Sequence, residues 1–177
     1  MYTLHHATTD ALPPRVRGEI RALLDAAFEG DFSDHDWNHA LGGLHAWVRG
    51  PDGVISHGAV VARTLTCSGQ VLQVGYVEAV ATAAAHRRRG HGAAVMRRLG
   101  EHIQGTWPLG ALSTGTPAFY ESVGWERWRG PTFVAGPAGR LRTPDDDGGI
   151  MILRTPRSPS LDLDGDIVCD WRPGDVW

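Results

Sequence analysis

Val77-Glu78-Ala79-Val80-Ala81-Thr82-Ala83-Ala84-Ala85-His86-Arg87-Arg88-Arg89-Gly90-His91-Gly92 is the stretch that decides the fold. It begins as the end of an apolar, β-branched run, Val71–Thr82, which predicts a long strand. It ends in Arg87-x-x-Gly90-x-Gly92, where a helix is predicted to start and run to Gln104, with Val95 or Met96, Leu99 and Ile103 on one apolar face. A strand that turns through glycines into a helix is an anion cradle. The glycines let backbone approach a pyrophosphate, and the helix N-terminus adds N–H groups and partial positive charge. Arg87, Arg88 and Arg89 can add charge-assisted contacts. Within the strand, Glu78 stands out, because a carboxylate in an apolar strand needs a partner or a role.

The flanking elements fit an α/β chain with a mixed sheet. Upstream, Tyr2–Ala7 predicts a strand and Pro13–Phe28 a helix, with Val16, Ile20, Leu23, Leu24 and Phe28 at helical spacing. Ser33–Leu41 predicts a second helix with Ser33 and Asp36 as a capping box. His45–Arg49 and Val54–Thr66 predict a hairpin. Downstream come a strand at Leu109–Ser113, a helix at Pro117–Val123, and strands at Trp125–Trp128, Thr132–Ala135 and Ile150–Leu153. The last two are joined by a Gly/Pro/Asp-rich loop. The tail from Ser158 is irregular, but Ile167-Val168 and two tryptophans predict that it packs on the domain.

The 177 residues suit one domain, 1–177, with 158–177 as its packed tail. No apolar run can span a bilayer, and the N-terminal residues lack a signal-peptide pattern. The two cysteines cannot make a disulfide framework, so reduced thiols in a cytoplasmic protein are expected. All 17 basic side chains are arginine, and five lie between Arg87 and Arg98. Acids gather elsewhere, at Glu29, Asp31, Asp34 and Asp36, at Asp145, Asp146 and Asp147, and in the tail. Separate basic and acidic patches predict two ligands of opposite charge.

The Arg-x-x-Gly-x-Gly loop resembles the acetyl-CoA loop of the GNAT family. Gly75–Thr82 has the form of the strand before it, and Phe119-Tyr120-Glu121-Ser122-Val123-Gly124-Trp125 matches the family's tyrosine four residues before a glycine and an aromatic. More specific segments resemble one branch, the aminoglycoside 2'-N-acetyltransferases. These are Phe28-Glu29-Gly30-Asp31-Phe32, Leu41-Gly42-Gly43-Leu44-His45, Gly75-Tyr76-Val77-Glu78, Thr143-Pro144-Asp145-Asp146-Asp147-Gly148 and Cys169-Asp170-Trp171-Arg172-x-Gly174-Asp175-x-Trp177. The likeness runs from about Phe28 to Trp177.

That resemblance implies the GNAT acyl-CoA N-acyltransferase fold, a mixed and mostly antiparallel sheet flanked by helices. It also implies acetyl transfer from acetyl-CoA to a 2'-amine of the drug, hence antibiotic resistance, and a homodimer. By position, Asp31, Glu78, Asp146, Asp175 and the terminal carboxylate of Trp177 contact the drug, and Ser113 borders it. Glu78 is the proposed base and Tyr120 the proposed acid. Val80, Ala81 and Thr82 serve the pantetheine arm. Arg87, Arg88, Arg89, Gly90, His91 and Gly92 hold the pyrophosphate. Two departures stand out. Ala79, whose amide contacts substrate in the family, occupies a position where the family can have glycine. Thr114–Ala118 aligns poorly.

These residue types suit direct attack of an amine on a thioester. An ammonium must lose a proton before it attacks, which calls for a base. The oxyanion calls for an N–H donor, expected near Val80. Neither a metal nor a covalent enzyme intermediate is needed. His35-Asp36-x-x-His39 mimics a zinc-protease helix but carries Asp for Glu. Asp162-x-Asp164-Gly165-Asp166 misplaces the glycine of a calcium loop. The arginine run lacks the interleaved aromatics of a nucleic-acid binder. Two other readings of the residues stay open: a GNAT enzyme for another polyamine or a peptide amine, and a non-catalytic binder of acetyl-CoA or drug.

Overall fold

The computed structural model describes residues Met1 to Trp177. By its internal contacts the chain divides into two compact units. One joins Met1–Val61 with Val77–Glu101, and the other joins Ala62–Tyr76 with His102–Trp177. Strands β3 (Gly53–Cys67) and β4 (Gln70–Thr82) and helix α3 (His91–Thr106) contribute residues to both.

In the first unit β1 (Thr3–Thr8) runs antiparallel to β2 (Leu44–Gly50), from Thr3 opposite Arg49 to Thr8 opposite Leu44. β2 pairs antiparallel with β3, with a register break between Val48 and Arg49. Helix α1 (Pro14–Ala27) carries proline in its first turn and buries Ile20, Leu23 and Leu24, the i, i+3, i+4 stripe expected of it. They pack with Leu12, Phe32, Trp47 and Ala81. Each such buried side chain contributes about 1.5–3 kcal/mol. Helix α2 (Asp34–His39) opens on the expected capping box. Asp36 N–H donates to Ser33 Oγ at 3.2 Å, and Ser33 N–H donates to Asp36 Oδ2 at 2.8 Å. At the entry to β2, a Cβ built on Gly43 would lie 1.9 Å from the Val60 carbonyl oxygen, so only glycine fits.

In the second unit β5 (Leu109–Ser113) runs parallel to β4 at Gly75–Tyr76 and antiparallel to β9 (Ile150–Arg154). β6 (Glu126–Arg127) lies on the far side of β9. β10 (Ile167–Asp170) pairs antiparallel with β3, Ile167 opposite Cys67, and parallel with β7 (Thr132–Gly136). β8 (Gly139–Arg142) closes a hairpin on β7. The order is β6-β9-β5-β4-β3-β10-β7-β8, a mixed and mostly antiparallel arrangement. Helix α4 (Pro117–Glu121) is shorter than the expected Pro117–Val123. Two strands differ from expectation. β8 lies in the segment read as a loop, and all four of its residues are exposed, so no burial imposes an apolar pattern on it. β10 lies in the tail read as irregular, where Ile167, Val168 and Cys169 are buried.

Both cysteines are free and buried, which pushes the Cys67 thiol up to about 12 and the Cys169 thiol up to about 11. No helix is long and apolar enough to cross a membrane.

Candidate active site

In the first unit the site residues lie on the end of β4 and the loop after it. Glu78, Ala79, Val80 and Thr82 are half-buried and Ala81 is buried. Ala79 sits at φ 52°. That left-handed conformation is rare for a residue with a Cβ and costs on the order of 1–2 kcal/mol. It gives the departure at this position a physical meaning, since glycine would adopt the turn without strain. Side chains of β3 brace it: His57 Nδ1 lies 2.9 Å from the Ala79 carbonyl oxygen, and Ser56 Oγ donates to the Ala81 carbonyl at 3.1 Å.

Past β4 the chain reverses through Arg88 at φ 60° and Gly90 at φ 82°, and α3 starts at His91. Gly90 caps the helix, its carbonyl accepting Ala94 N–H at 2.9 Å. A Cβ on Gly90 would meet nothing within 4 Å, so this face of the turn is open. The first-turn amides of α3 have no carbonyl four residues back within the helix and are available to a phosphate. The loop therefore fits the pyrophosphate role. Arg88 and Arg89 are exposed, as is Arg87, whose Nε donates to the Thr82 carbonyl at 3.2 Å. One face of Arg87 thus fastens the loop to β4. The His91 ring packs tilted against Tyr2, with centroids 4.7 Å apart, a contact no local signal in the sequence announces. Burial, with His86 and Arg89 nearby, lowers the His91 pKa. Asp31 is exposed on the loop between α1 and α2, and the cap of α2 is Ser33 rather than Asp31.

In the second unit Tyr120 lies on α4 and is buried, which pushes its phenol up to about 12, with hydrogen bonding to Thr114 acting in the opposite direction. Thr114 belongs to the Thr114–Ala118 segment that aligns poorly with the family. Its Oγ1 also accepts Thr116 N–H at 3.0 Å, which shapes the turn into α4. Ser113 is exposed at the end of β5, opposite Ile150.

The aspartate run Asp145–Asp147 divides by environment. Asp147 accepts Thr132 N–H at 3.0 Å and is paired with Arg142, which together hold its carboxyl down at about 2. It is a brace for β7. Asp146 is half-buried, and burial followed by the charge of Asp175 raises its pKa. Thus Asp146 and Asp175, 29 positions apart, share one field. Trp177 joins them: its indole N–H donates to Thr143 Oγ1 at 2.9 Å, and its backbone N–H donates to Asp175 Oδ1 at 3.3 Å.

The tail is fastened by two arginines absent from the predicted site. Arg172 Nη2 donates to the Trp177 oxygen at 3.0 Å. Arg63, buried over the Tyr76 ring at 4.6 Å, donates to the Asp170 carboxylate at 2.9 Å and to the Val176 carbonyl at 2.8 Å. The signal for Arg63 was a lone arginine inside an apolar strand. The two decoy acids Asp164 and Asp166 pair with Arg129 and Arg140.

Comparison with known proteins agrees with this chemistry. The profile of the acetyltransferase (GNAT) domain family matches residues 17–128. Aminoglycoside 2'-N-acetyltransferase of Mycolicibacterium fortuitum is 44% identical over 181 residues, across 100% of this chain and 93% of that protein. Among solved structures, the GNAT family N-acetyltransferase YhbS of Escherichia coli in complex with CoA matches with a TM-score of 0.65 at 16% identity, covering 95% of this chain and 89% of that one. Escherichia coli ElaA matches with a TM-score of 0.60 at 16% identity, covering 87% and 100%. A GCN5-related N-acetyltransferase from Kribbella flavida matches 74% of this chain with a TM-score of 0.59 at 21% identity, and this chain spans 34% of its length. These structural likenesses establish the fold alone. The full-length sequence match goes further, and the chain belongs to the GNAT acetyltransferase family, in the branch of the aminoglycoside 2'-N-acetyltransferases.

Proposed function

We propose that this protein transfers the acetyl group of acetyl-CoA to the 2'-amine of aminoglycosides by direct attack, and so confers resistance to them. The observation that carries this assignment is the 44% identity to an aminoglycoside 2'-N-acetyltransferase over the whole chain. The open, glycine-capped start of α3 supports acetyl-CoA as the acyl donor, with Arg87 to Gly92 on its pyrophosphate and Val80, Ala81 and Thr82 along its pantetheine arm. Acetyl-CoA supplies the activated acyl group.

Glu78 takes the ammonium proton, directly or through a water, so that the amine can attack. The Val80 N–H donates to the oxyanion that develops on the carbonyl. Tyr120 is assigned to the departing thiolate. A phenol held at about 12 is fully protonated at neutral pH. It is also a weaker acid than a thiol of pKa about 8.5. Tyr120 therefore steadies the thiolate by donating a hydrogen bond, rather than by completing a proton transfer. Asp31, Ser113, Asp146, Asp175 and Trp177, with the Ala79 amide, receive the cationic sugar, each ion pair giving about 1 kcal/mol in water and more where water is excluded. The chain works as one acetyltransferase domain, in the cytoplasm and as a homodimer.

The test is thiol release from acetyl-CoA with matched drugs. Those bearing a 2'-amine should turn over and their 2'-hydroxyl counterparts should not. Equal turnover of both would refute the regiochemistry, and turnover only with other polyamines or peptide amines would reassign the acceptor.

A further inference from the structure

A chain of side chains runs beneath Ala79. His57 is fully buried, with Nδ1 2.9 Å from the Ala79 carbonyl oxygen. Its Nε2 lies 3.0 Å from His45 Nδ1. His45 Nε2 lies 2.9 Å from Thr9 Oγ1, which accepts Gly42 N–H at 2.8 Å.

The geometry allows one direction of donation. A carbonyl oxygen only accepts, so His57 carries its proton on Nδ1 and donates it to Ala79. Burial keeps His57 neutral, so its Nε2 is an acceptor and His45 Nδ1–H donates to it. His45 Nε2 then accepts the Thr9 hydroxyl proton at the shorter of its two contacts, the other being the Gly43 carbonyl at 3.3 Å. The chain starts at a backbone N–H and ends at a backbone C=O, and neither exchanges a proton with substrate. It cannot act as a proton relay. It can only hold and polarise.

What it holds is the Ala79–Val80 peptide. The Ala79 C=O and the Val80 N–H belong to one planar trans unit, so fixing the carbonyl fixes the opposite direction of the N–H. A donor on the carbonyl also strengthens the N–H on the other side of the amide. The same contact secures the left-handed Ala79, which follows Glu78 directly.

We infer that His57, backed by His45 and Thr9, is a positioning residue for acetyl transfer, aiming and polarising the Val80 amide and fixing the turn that presents Glu78. This rests on the assignment of Val80 N–H and Glu78 given above.

His57→Leu and His57→Asn decide the matter, because the Asn amide can place a donor where Nδ1 lies. Thiol release from acetyl-CoA with a 2'-amino aminoglycoside should fall at least about tenfold in kcat for His57→Leu, part of what loss of a whole oxyanion donor costs. KM for acetyl-CoA should change less than about threefold, since the site and not the cofactor loop is disturbed. His57→Asn should recover most of the rate. Thr9→Val, at the outer end, should give a smaller kcat loss that Thr9→Ser restores, which keeps the inference testable if His57→Leu does not fold. Nitrogen NMR of the wild-type histidines should show Nδ1-protonated His57 and His45. The Val80 amide proton should move upfield in His57→Leu and return in His57→Asn. Equal kcat in folded wild type and His57→Leu, no recovery by either rescue variant, or the Nε2-protonated tautomers would overturn the inference. If the wild type acetylates no aminoglycoside, the acceptor assignment fails instead, and the tautomers and the Val80 shift still decide this one.

Discussion

The turn of β4 in the first unit and the aspartate cluster in the second reach readiness by opposite electrostatic means. Beneath Ala79 the side chains of His57, His45 and Thr9 are neutral and hydrogen-bonded to one another, and rigidity comes from that network. Around Asp146 the groups are like-charged and close, and burial with the Asp175 carboxylate raises the Asp146 pKa. The first arrangement is complete without substrate, as the oxyanion donor proposed at Val80 N–H must be if it is to avoid reorganising during the reaction. The second lacks a counter-charge that a polycation would bring, so its contribution appears on binding. Within the aspartate run, Asp147 has already found its counter-charge in Arg142 and belongs with the scaffold.

The largest expected effect breaks the catalytic side of this contrast. Glu78→Gln should lower kcat by about 100- to 10,000-fold, the range for removing a general base, with little change in KM for acetyl-CoA. Steady-state kinetics with a 2'-amino drug checks it.

Next comes stability against pH. Burial with nearby Arg17 pushes the His45 pKa down to about 4, and burial with nearby His45 pushes that of His57 down to about 3. Unfolded histidine titrates near 6.5, so below that pH the unfolded chain takes up protons that the folded one refuses. The contribution is whole above pH about 6.5 and is lost as pH falls through the folded values. Between pH 7 and 4.5 the loss should be roughly 3–5 kcal/mol. Denaturant melts across that window measure it, and a His45→Gln/His57→Asn double variant should flatten the slope.

Tyr120→Phe should reduce kcat by about tenfold, less than a full general acid would contribute. Because the phenol titrates near 12, the wild-type rate should show no basic limb from Tyr120 below about pH 11. A limb near 9 would mean that it delivers its proton. The smallest effect should fall on the charged side: Asp146→Asn should raise the drug KM about fivefold, near 1 kcal/mol for one partly hydrated ion pair, and leave the acetyl-CoA KM unchanged. The wild-type drug KM should rise as pH falls into the carboxylate range, where Asp146, its pKa raised by burial and the Asp175 charge, takes up a proton.

The strand–turn–helix proposed to hold acetyl-CoA was legible because its signal is local. Strand, glycines and helix start all lie within Val77 to Gly92, and their backbone demands are set residue by residue. The helices and most strands were legible for the same reason, through the spacing of Ile20, Leu23 and Leu24 or the apolar run of β4. β8 was missed because an exposed hairpin strand buries nothing that could pattern it. β10 was missed because its partner in β3 lies 100 positions away, with Ile167 set against Cys67.

By itself the sequence determined the fold class, the family, the glycine turn proposed to hold the cofactor and the identity of the acidic groups. Only the tertiary structure decided that Asp146 and not Asp147 shares the field of Asp175, that Arg63 and Arg172 fasten the tail, and that Thr9, His45 and His57 converge on the Ala79 carbonyl. The division has one physical cause. Backbone preference and apolar spacing act between near neighbours, whereas desolvation, charge and hydrogen-bond polarity depend on which distant residues folding brings within a few ångströms of each other.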